Sequence, residues 1–415
     1  MGILDAPVTQ KTVRRLNNKL QIVSTRGNAM GDGNMLGGGP TANYSRGESR
    51  CKFIIGPQPV TGARLVFNNW LSDTVVSEKD GPNDITVSAA LEYSGVTYPI
   101  YFGGAKSVLL PAGAPFVMSD PMGLELPAGA VTWIRTTVTI SAGQFWPKGV
   151  YVSVSGEGSV DSNNSATQIY GTGALSPTGG VNSAWAYTAL AMLGIPAKAT
   201  PAVLVIGDSI TAGSGESSGT TAEHGFALRG LVNATNPVPW AQVARGGDMA
   251  SQGTMALTPR RLTVADYATH ALCALGTNDL ASAGLTAAQT QAALTVLWTR
   301  LKAHGLKITA SLVMPRIQST TDSYATPGNM TPYPGFETGG AKRDPLNAWI
   351  ISQVGQGLID SVIDPNVYVE DQANKGKWIT TGAANYPTTD GVHPSTPLHI
   401  LAAQPVTAWA NQLTL

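Results

Sequence analysis

The sequence predicts two architectures in one chain: an antiparallel β-sandwich, jelly-roll-like, in the N-terminal half, then a three-layer α/β/α parallel sheet. Three observations carry this reading. Short runs rich in Val, Ile, Tyr and Thr, punctuated by Gly, Pro, Asn and Asp, fill residues 50–160, where no helical period of useful length occurs. After about residue 197, short apolar runs alternate with helical patterns, the order expected of a parallel sheet covered by helices on both faces. The 415 residues exceed one ordinary core, and a hydrophobic fraction of 43% is enough to build more than one.

The runs RLVFNNW, DITVSAALEY, VTYPIYFGG, SVLLPAG and VTWIRTTVTI read as the sandwich strands, with turn signals between them. Residues 1–45, rich in Gly and Asn, read as an arm without a core of its own. In the second half AVLVI (202–206) reads as a buried parallel strand leading into a Gly-rich turn. ATHALCAL (268–275) and LKITASLVM (306–314) read as further strands. Thr286 and Gln289 form a capping-box pattern, and Leu294, Leu297 and Leu301 share one helical face, so a helix begins after Thr286 and ends at Gly305. A second helix is expected from Pro345 to about Leu358. The expected division is an arm over 1–45, a β-sandwich over 46–196 and an α/β domain over 197–415. Two long connections, 315–344 and 365–389, are of a length that is usually functional or disordered. The first carries Tyr324, Tyr333 and Phe336, which suits either a wall or lid over a site or a loose surface insertion.

Charged residues are only 13%, against roughly 25% in typical domains, so the surface is weakly charged. Lys+Arg and Asp+Glu are both 26, which leaves no basic excess to neutralise phosphates and argues against a nucleic-acid partner. Cys51 and Cys273 lack metal-ligand neighbours at zinc spacing, so no metal is expected, and two buried free thiols are favoured over a disulfide. The first residues contain no continuous apolar run of the kind a signal peptide needs, and Ala6 stands where N-myristoylation requires Ser or Thr. The most apolar stretch, Ala184 to Gly207, is broken by Pro196, Lys198 and Pro201, so no membrane span is expected. Compartment and oligomeric state stay open; location inside the cell, outside it or on a virus particle all fit.

Four motifs in the second half carry chemistry. IGDSIT places Gly207, Asp208 and Ser209 directly after a buried strand, where a tight turn would expose Ser209. ARGGDMASQG offers Gly246 and Gly247, the residue type needed where backbone approaches a ligand. LGTND ends a strand with Asn278, whose amide can donate to a developing oxyanion. TDGVHPS contains Asp390 and His393, a spacing that lets the carboxylate reach one imidazole nitrogen while the other faces a serine. Each motif alone is also an ordinary turn or helix cap.

Taken together and in this order, the blocks resemble those of the SGNH (GDSL-type) serine hydrolase family: G-D-S, a Gly, G-x-N-D and D-x-x-H-P. The resemblance covers roughly residues 200–415. It implies Ser209 as nucleophile, His393 as its base and Asp390 as the group orienting His393. The oxyanion hole would be formed by the N–H of Ser209, the N–H of Gly247 (Gly246 being the weaker candidate) and the side chain of Asn278. No cofactor is implied. Arg245 departs from the family pattern, in which Asn often stands near the start of that block; it is expected to be solvent-exposed or paired with a carboxylate rather than to touch substrate. Asp208 and Asp279 are expected to hold their loops through backbone hydrogen bonds. Of the remaining histidines, His270, His304 and His399 are expected to be structural, and His224 is close enough in sequence to Ser209 to line a pocket.

MSDPMGLELPAGAVTWIRTTVTI, through Ser119, Asp120, Pro121 and the turn at 127–129, resembles the β-sandwich preceding the hydrolase domain in some carbohydrate-active members. The resemblance implies a carbohydrate-binding or accessory role for the sandwich over 46–196 and a catalytic domain over 197–415. The function this implies is a serine esterase removing short acyl groups, acetyl above all, from a polysaccharide or glycoside. The alternatives are a general short-chain or aryl esterase, or a surface or virion glycan-binding protein with a relic hydrolase fold. Trp70, Tyr98, Trp133, Phe145 and Trp146 are of a type that stacks on sugars, but core positions are favoured for each.

Overall fold

The computed structural model describes residues 19–26, 36–39, 44–72, 78–152, 154–163, 167–217, 223–252 and 260–415. Residues 1–18, which were read for a leader or acylation signal, and most of the proposed arm lie outside them. Part of that arm is built into the sandwich. Gln21–Ile22 pairs antiparallel with Ala191–Pro196, and residues 21–26 are buried.

Two antiparallel sheets form the sandwich. A four-stranded sheet runs in the order Gln21–Ile22, Ala191–Pro196, Val60–Phe67, Val117–Met118. A seven-stranded sheet has Arg46–Ile54, Val131–Thr139 and Ile85–Tyr93 at its centre. The strand Arg46–Ile54 has no alternating apolar signature because its outer face is ionic. There Arg50 and Arg135 both bond Glu92, at 2.8 and 2.9 Å. Buried charges of this kind are tolerated only when paired and hydrogen-bonded.

Alternation along the four-stranded sheet explains how the two halves join. Leu65, Phe67 and Met192 face the core between the sandwich sheets, whereas Ile22, Val66, Ala191 and Leu193 face a second core shared with Leu204, Val264 and Ala265 of the C-terminal half. Successive side chains on a strand point to opposite faces, so this sheet is buried on both. That is why the chain around 184–207 is so apolar without spanning anything.

The C-terminal half is built on five parallel strands in the order Trp240–Gln242, Val203–Gly207, His270–Ala274, Lys307–Ser311, Ser361–Ile363. Leu204, Ile206, Ala271 and Cys273 pack on one side with Leu294, Leu297, Leu301 and Leu346. Val203, Val205 and Leu272 pack on the other with Phe226, Leu231, Leu398 and Val406. Helices Ala287–Ala303 and Arg343–Ser352 therefore cover one face, and helices Phe226–Val232 and Thr396–Ala410 the other. The capping box at Thr286 and Gln289 is formed in both directions. The helix expected to reach Leu358 stops at Ser352. Both cysteines are buried and free.

The two long connections are ordered, so the first is not a loose insertion. Ile317–Thr320 and Met330–Pro332 form a hairpin, Phe336 and Tyr324 are buried, and the Tyr333 hydroxyl donates to the Ala281 carbonyl at 3.2 Å. The Ile317 N–H donates to the Gly391 carbonyl at 2.9 Å. From the second connection, the buried Trp378 donates its indole N–H to the same carbonyl at 3.1 Å. Both segments therefore brace the loop that carries His393.

Candidate active site

The strand Val203–Gly207 ends in a tight turn over 209–215 rather than a regular helix. Gly207 is required there by space: a Cβ would lie 2.1 Å from Thr211 Oγ1 and 2.5 Å from its Cβ. Asp208 is buried and accepts the Ile210 N–H at 2.9 Å, which fixes the turn and leaves the Ser209 side chain half-exposed. Burial pushes the Asp208 carboxyl up to about 7, partly offset by hydrogen bonds from the Ile210 and Thr211 amides; the Asp248 charge raises it further and His393 lowers it.

His393 Nε2 lies 2.8 Å from Ser209 Oγ, and its Nδ1 lies 2.6 Å from Asp390 Oδ2. Nδ1–H donating to the carboxylate leaves Nε2 to accept from the serine hydroxyl. Asp390 Oδ1 also accepts the N–H groups of Val392 and His393, both at 2.9 Å. Burial raises the Asp390 carboxyl, but these bonds, led by that from the imidazole, outweigh it and hold the group well below the usual carboxylate range.

Asn278 is buried at the start of the short helix Thr277–Ala281. Its Nδ2 donates to the Asp248 carbonyl at 3.1 Å, which leaves a second amide proton uncommitted by that bond. Asp279 accepts the amides of Ala250 and Ser251 at 2.9 and 2.8 Å. The third sequence block is thereby stitched to the second, and Asp208 and Asp279 hold their loops as expected. Gly247 is exposed beside these contacts. Arg245 is buried and lies 3.4 Å from Asp248 Oδ1, a carboxylate pairing in keeping with the sequence reading.

Arg316 was not singled out by sequence. Its guanidinium lies over the Tyr333 ring, 5.3 Å from the centroid, and donates to Asn278 Oδ1 at 3.3 Å. Only the packing of the hairpin behind the strand end Ser311 reveals it.

The other histidines divide as follows. His399 is fully buried; its Nδ1 accepts the Phe226 N–H at 3.2 Å and its Nε2 meets the Ser214 carbonyl at 3.0 Å. Burial pushes it down to about 4, so it is a neutral brace for the loop at 209–215. His270 is likewise buried and depressed to about 4, and His304 pairs with Asp266. His224 lines a cavity of about 320 Å³ beside that loop, with Tyr151 and Trp185. Among the sandwich aromatics, Trp70 and Trp146 are core and the face of Trp133 is covered by Arg50 at 3.6 Å; Tyr98 and Phe145 are half-buried.

Residues 205–399 match the model of the GDSL-like lipase/acylhydrolase family. No curated protein sequence matches the chain. Among solved structures, it is similar to a lipase/acylhydrolase from Enterococcus faecalis (17% identity, 52% of this chain and 98% of that one, TM-score 0.34). It is also similar to the esterase EstA from a Pseudoalteromonas species (15% identity, 51% and 100%, TM-score 0.34). A family two carbohydrate esterase from Cellvibrio japonicus aligns over 96% of each chain, at 13% identity and TM-score 0.35. The matched segment takes in the end of the strand Val203–Gly207, Ser209, the Asn278 helix and the His393 loop, so residues 205–399 form a GDSL-like lipase/acylhydrolase domain.

Proposed function

We propose that the protein is a serine esterase that removes short acyl groups, chiefly acetyl, from a polysaccharide or glycoside. The observation that carries the mechanism is the hydrogen-bonded chain from Ser209 through His393 to Asp390, at 2.8 and 2.6 Å. A serine hydroxyl is a poor nucleophile until an adjacent base takes its proton. His393 removes that proton as Ser209 Oγ attacks the ester carbonyl, and Asp390 stabilises the imidazolium that forms. Negative charge develops on the carbonyl oxygen and is met by the Ser209 and Gly247 amides and the Asn278 side chain. Arg316 holds the Asn278 carbonyl oxygen, which orients the amide nitrogen toward that charge. His393 then returns the proton to the leaving alcohol, and water releases the acid from the acyl-enzyme by the same steps.

The short-acyl reading rests on the resemblance of residues 118–140 to the sandwich of carbohydrate-active members, and the cavity beside the loop at 212–215 mixes apolar walls, Tyr151 and Trp185 among them, with polar ones such as Gln242. We divide the chain into a lead-in over 1–45, whose strand Gln21–Ile22 joins the sandwich, a sandwich over 46–196 and the hydrolase over 197–415. In the test, 4-nitrophenyl acetate is hydrolysed by the wild type, and Ser209→Ala reduces the rate to background. Acetate release is then measured on a panel of acetylated polysaccharides. Hydrolysis of the nitrophenyl ester without any release from the panel would favour a general short-chain esterase.

A further inference from the structure

The cavity of about 320 Å³ lies at the seam of the two halves, at the lower end of the 300–1,000 Å³ of small-molecule sites. One wall comes from the sandwich. Tyr151 and Trp185 are opposite each other on the paired strands Val150–Tyr151 and Trp185–Ala186. Their ring centroids are 5.2 Å apart at 69°, and both side chains are half-exposed. The other wall comes from the hydrolase, through the nucleophile loop at 212–215 and the strand end at Ala244 to Gly246.

This second wall is tied to the catalytic groups. The Ser214 N–H donates to the Ser209 carbonyl at 2.9 Å. Gly215, with φ +93°, packs so closely on the His393 loop that a Cβ would lie 2.4 Å from the Pro394 carbonyl oxygen and 2.9 Å from His393 Cβ. An occupant of the cavity is therefore one loop away from the reacting ester.

The charged wall residues that the structure describes each have an opposite partner. Arg26 bonds Glu223 and Glu157, both at 2.8 Å, Glu216 is paired with Arg229, and Arg245 shares Asp248 with Arg261. Burial pushes the His224 imidazole, whose ring centroid lies 5.2 Å from that of Tyr151 at 38°, below its ordinary value. Among the described residues the site therefore offers no unpaired charge to hold an acid or an amine. It combines an apolar aromatic pair with hydroxyl, amide and backbone groups, the surface that a pyranose ring matches with its C–H face and its hydroxyl-bearing edge.

We propose that this seam cavity is the binding site for an uncharged sugar unit of the substrate, with the sandwich residues Tyr151 and Trp185 supplying its stacking platform. The proposal rests on the esterase reading above and adds that substrate selection is shared between the two halves. It requires Ser209-dependent hydrolysis to be measurable first.

The test compares 4-nitrophenyl acetate, which has no sugar, with the pentaacetates of glucose and galactose, followed by acetate release. Trp185→Leu should lower kcat/KM for at least one sugar ester about three- to tenfold more than for the nitrophenyl ester. Trp185→Phe, which keeps an aromatic face, should recover most of that difference. Independently of any variant, methyl glucoside or methyl galactoside should inhibit the wild type competitively against 4-nitrophenyl acetate. Equal losses on sugar and nitrophenyl esters, or no competitive inhibition by either glycoside, would overturn the proposal. If Ser209→Ala retains wild-type hydrolysis of 4-nitrophenyl acetate, the esterase reading itself fails, a result that the Trp185 comparison does not produce.

Discussion

At the scale of single residues, the proposed chemistry depends on donors held in place before substrate arrives. Asn278 is fixed at both ends, by the Asp248 carbonyl and by Arg316. Removing one preorganised oxyanion donor costs about 100- to 1,000-fold in turnover. Asn278→Ala should therefore lower kcat by that order with KM little changed, and Arg316→Met should lower kcat by a smaller factor in the same steady-state assay. Full turnover in Asn278→Ala would remove the side chain from the role. Asp208 makes a separate prediction. Its folded-state carboxyl is raised to about 7 by burial, whereas an unfolded chain releases that proton near the ordinary value of about 3.9. Below that value the group favours the folded state in full; the contribution fades as pH rises through 7. Asp208→Asn, which cannot ionise, should therefore gain melting temperature relative to wild type between pH 4 and pH 8. A gap that stays constant across that range would show that Asp208 is not the titrating group.

Elements carry the site by ending where they do. The parallel strands deliver Ser209 and Asn278 from the ends of Val203–Gly207 and His270–Ala274, the edge at which α/β sheets gather their catalytic loops. The helix Ala287–Ala303 lies behind the second of these and is secured by Thr286, whose hydroxyl accepts the Gln289 N–H while Gln289 bonds back. Losing an N-cap of this type costs about 1 kcal/mol. Thr286→Ala should lower thermal stability by a few degrees with kcat/KM unchanged, checked by melting curves and the nitrophenyl assay on the same sample. The long connections act as elements too. The hairpin at 317–332 and Trp378 both anchor the Gly391 carbonyl, so the His393 loop is held by two segments distant in sequence.

For the whole molecule, the controlling feature is a four-stranded sheet with no free face. Met192 belongs to the sandwich core and its neighbours Ala191 and Leu193 to the core shared with the hydrolase. Leu193→Ala should cost about 2–5 kcal/mol, as large-to-small changes in packed cores do, although it lies outside all four motif blocks. Because the two cores share one sheet, calorimetry should show a single unfolding transition that shifts as a unit. Two resolved transitions, with only one moved by the substitution, would mean that the halves fold independently.

Much of this was legible in the residues themselves. Strand and helix periods, the Thr286 cap and the ordered G-D-S, G-x-N-D and D-x-x-H-P blocks are local patterns, set by the pleat, the helical turn and the reach of a side chain to its own backbone. They determined the fold class and, through the family resemblance, marked Ser209, Asn278, Asp390 and His393 as candidate site residues. What needed the tertiary structure was every relation between residues far apart in the chain. Arg46–Ile54 hides as a strand because its charges meet partners on other strands. The two long connections look structureless because their aromatics are satisfied by distant segments. Arg316, Tyr151 and Trp185 have no local signature, since each matters only through what folding brings opposite it. Periodicity records the face a side chain turns, but only packing between elements decides what that face will meet.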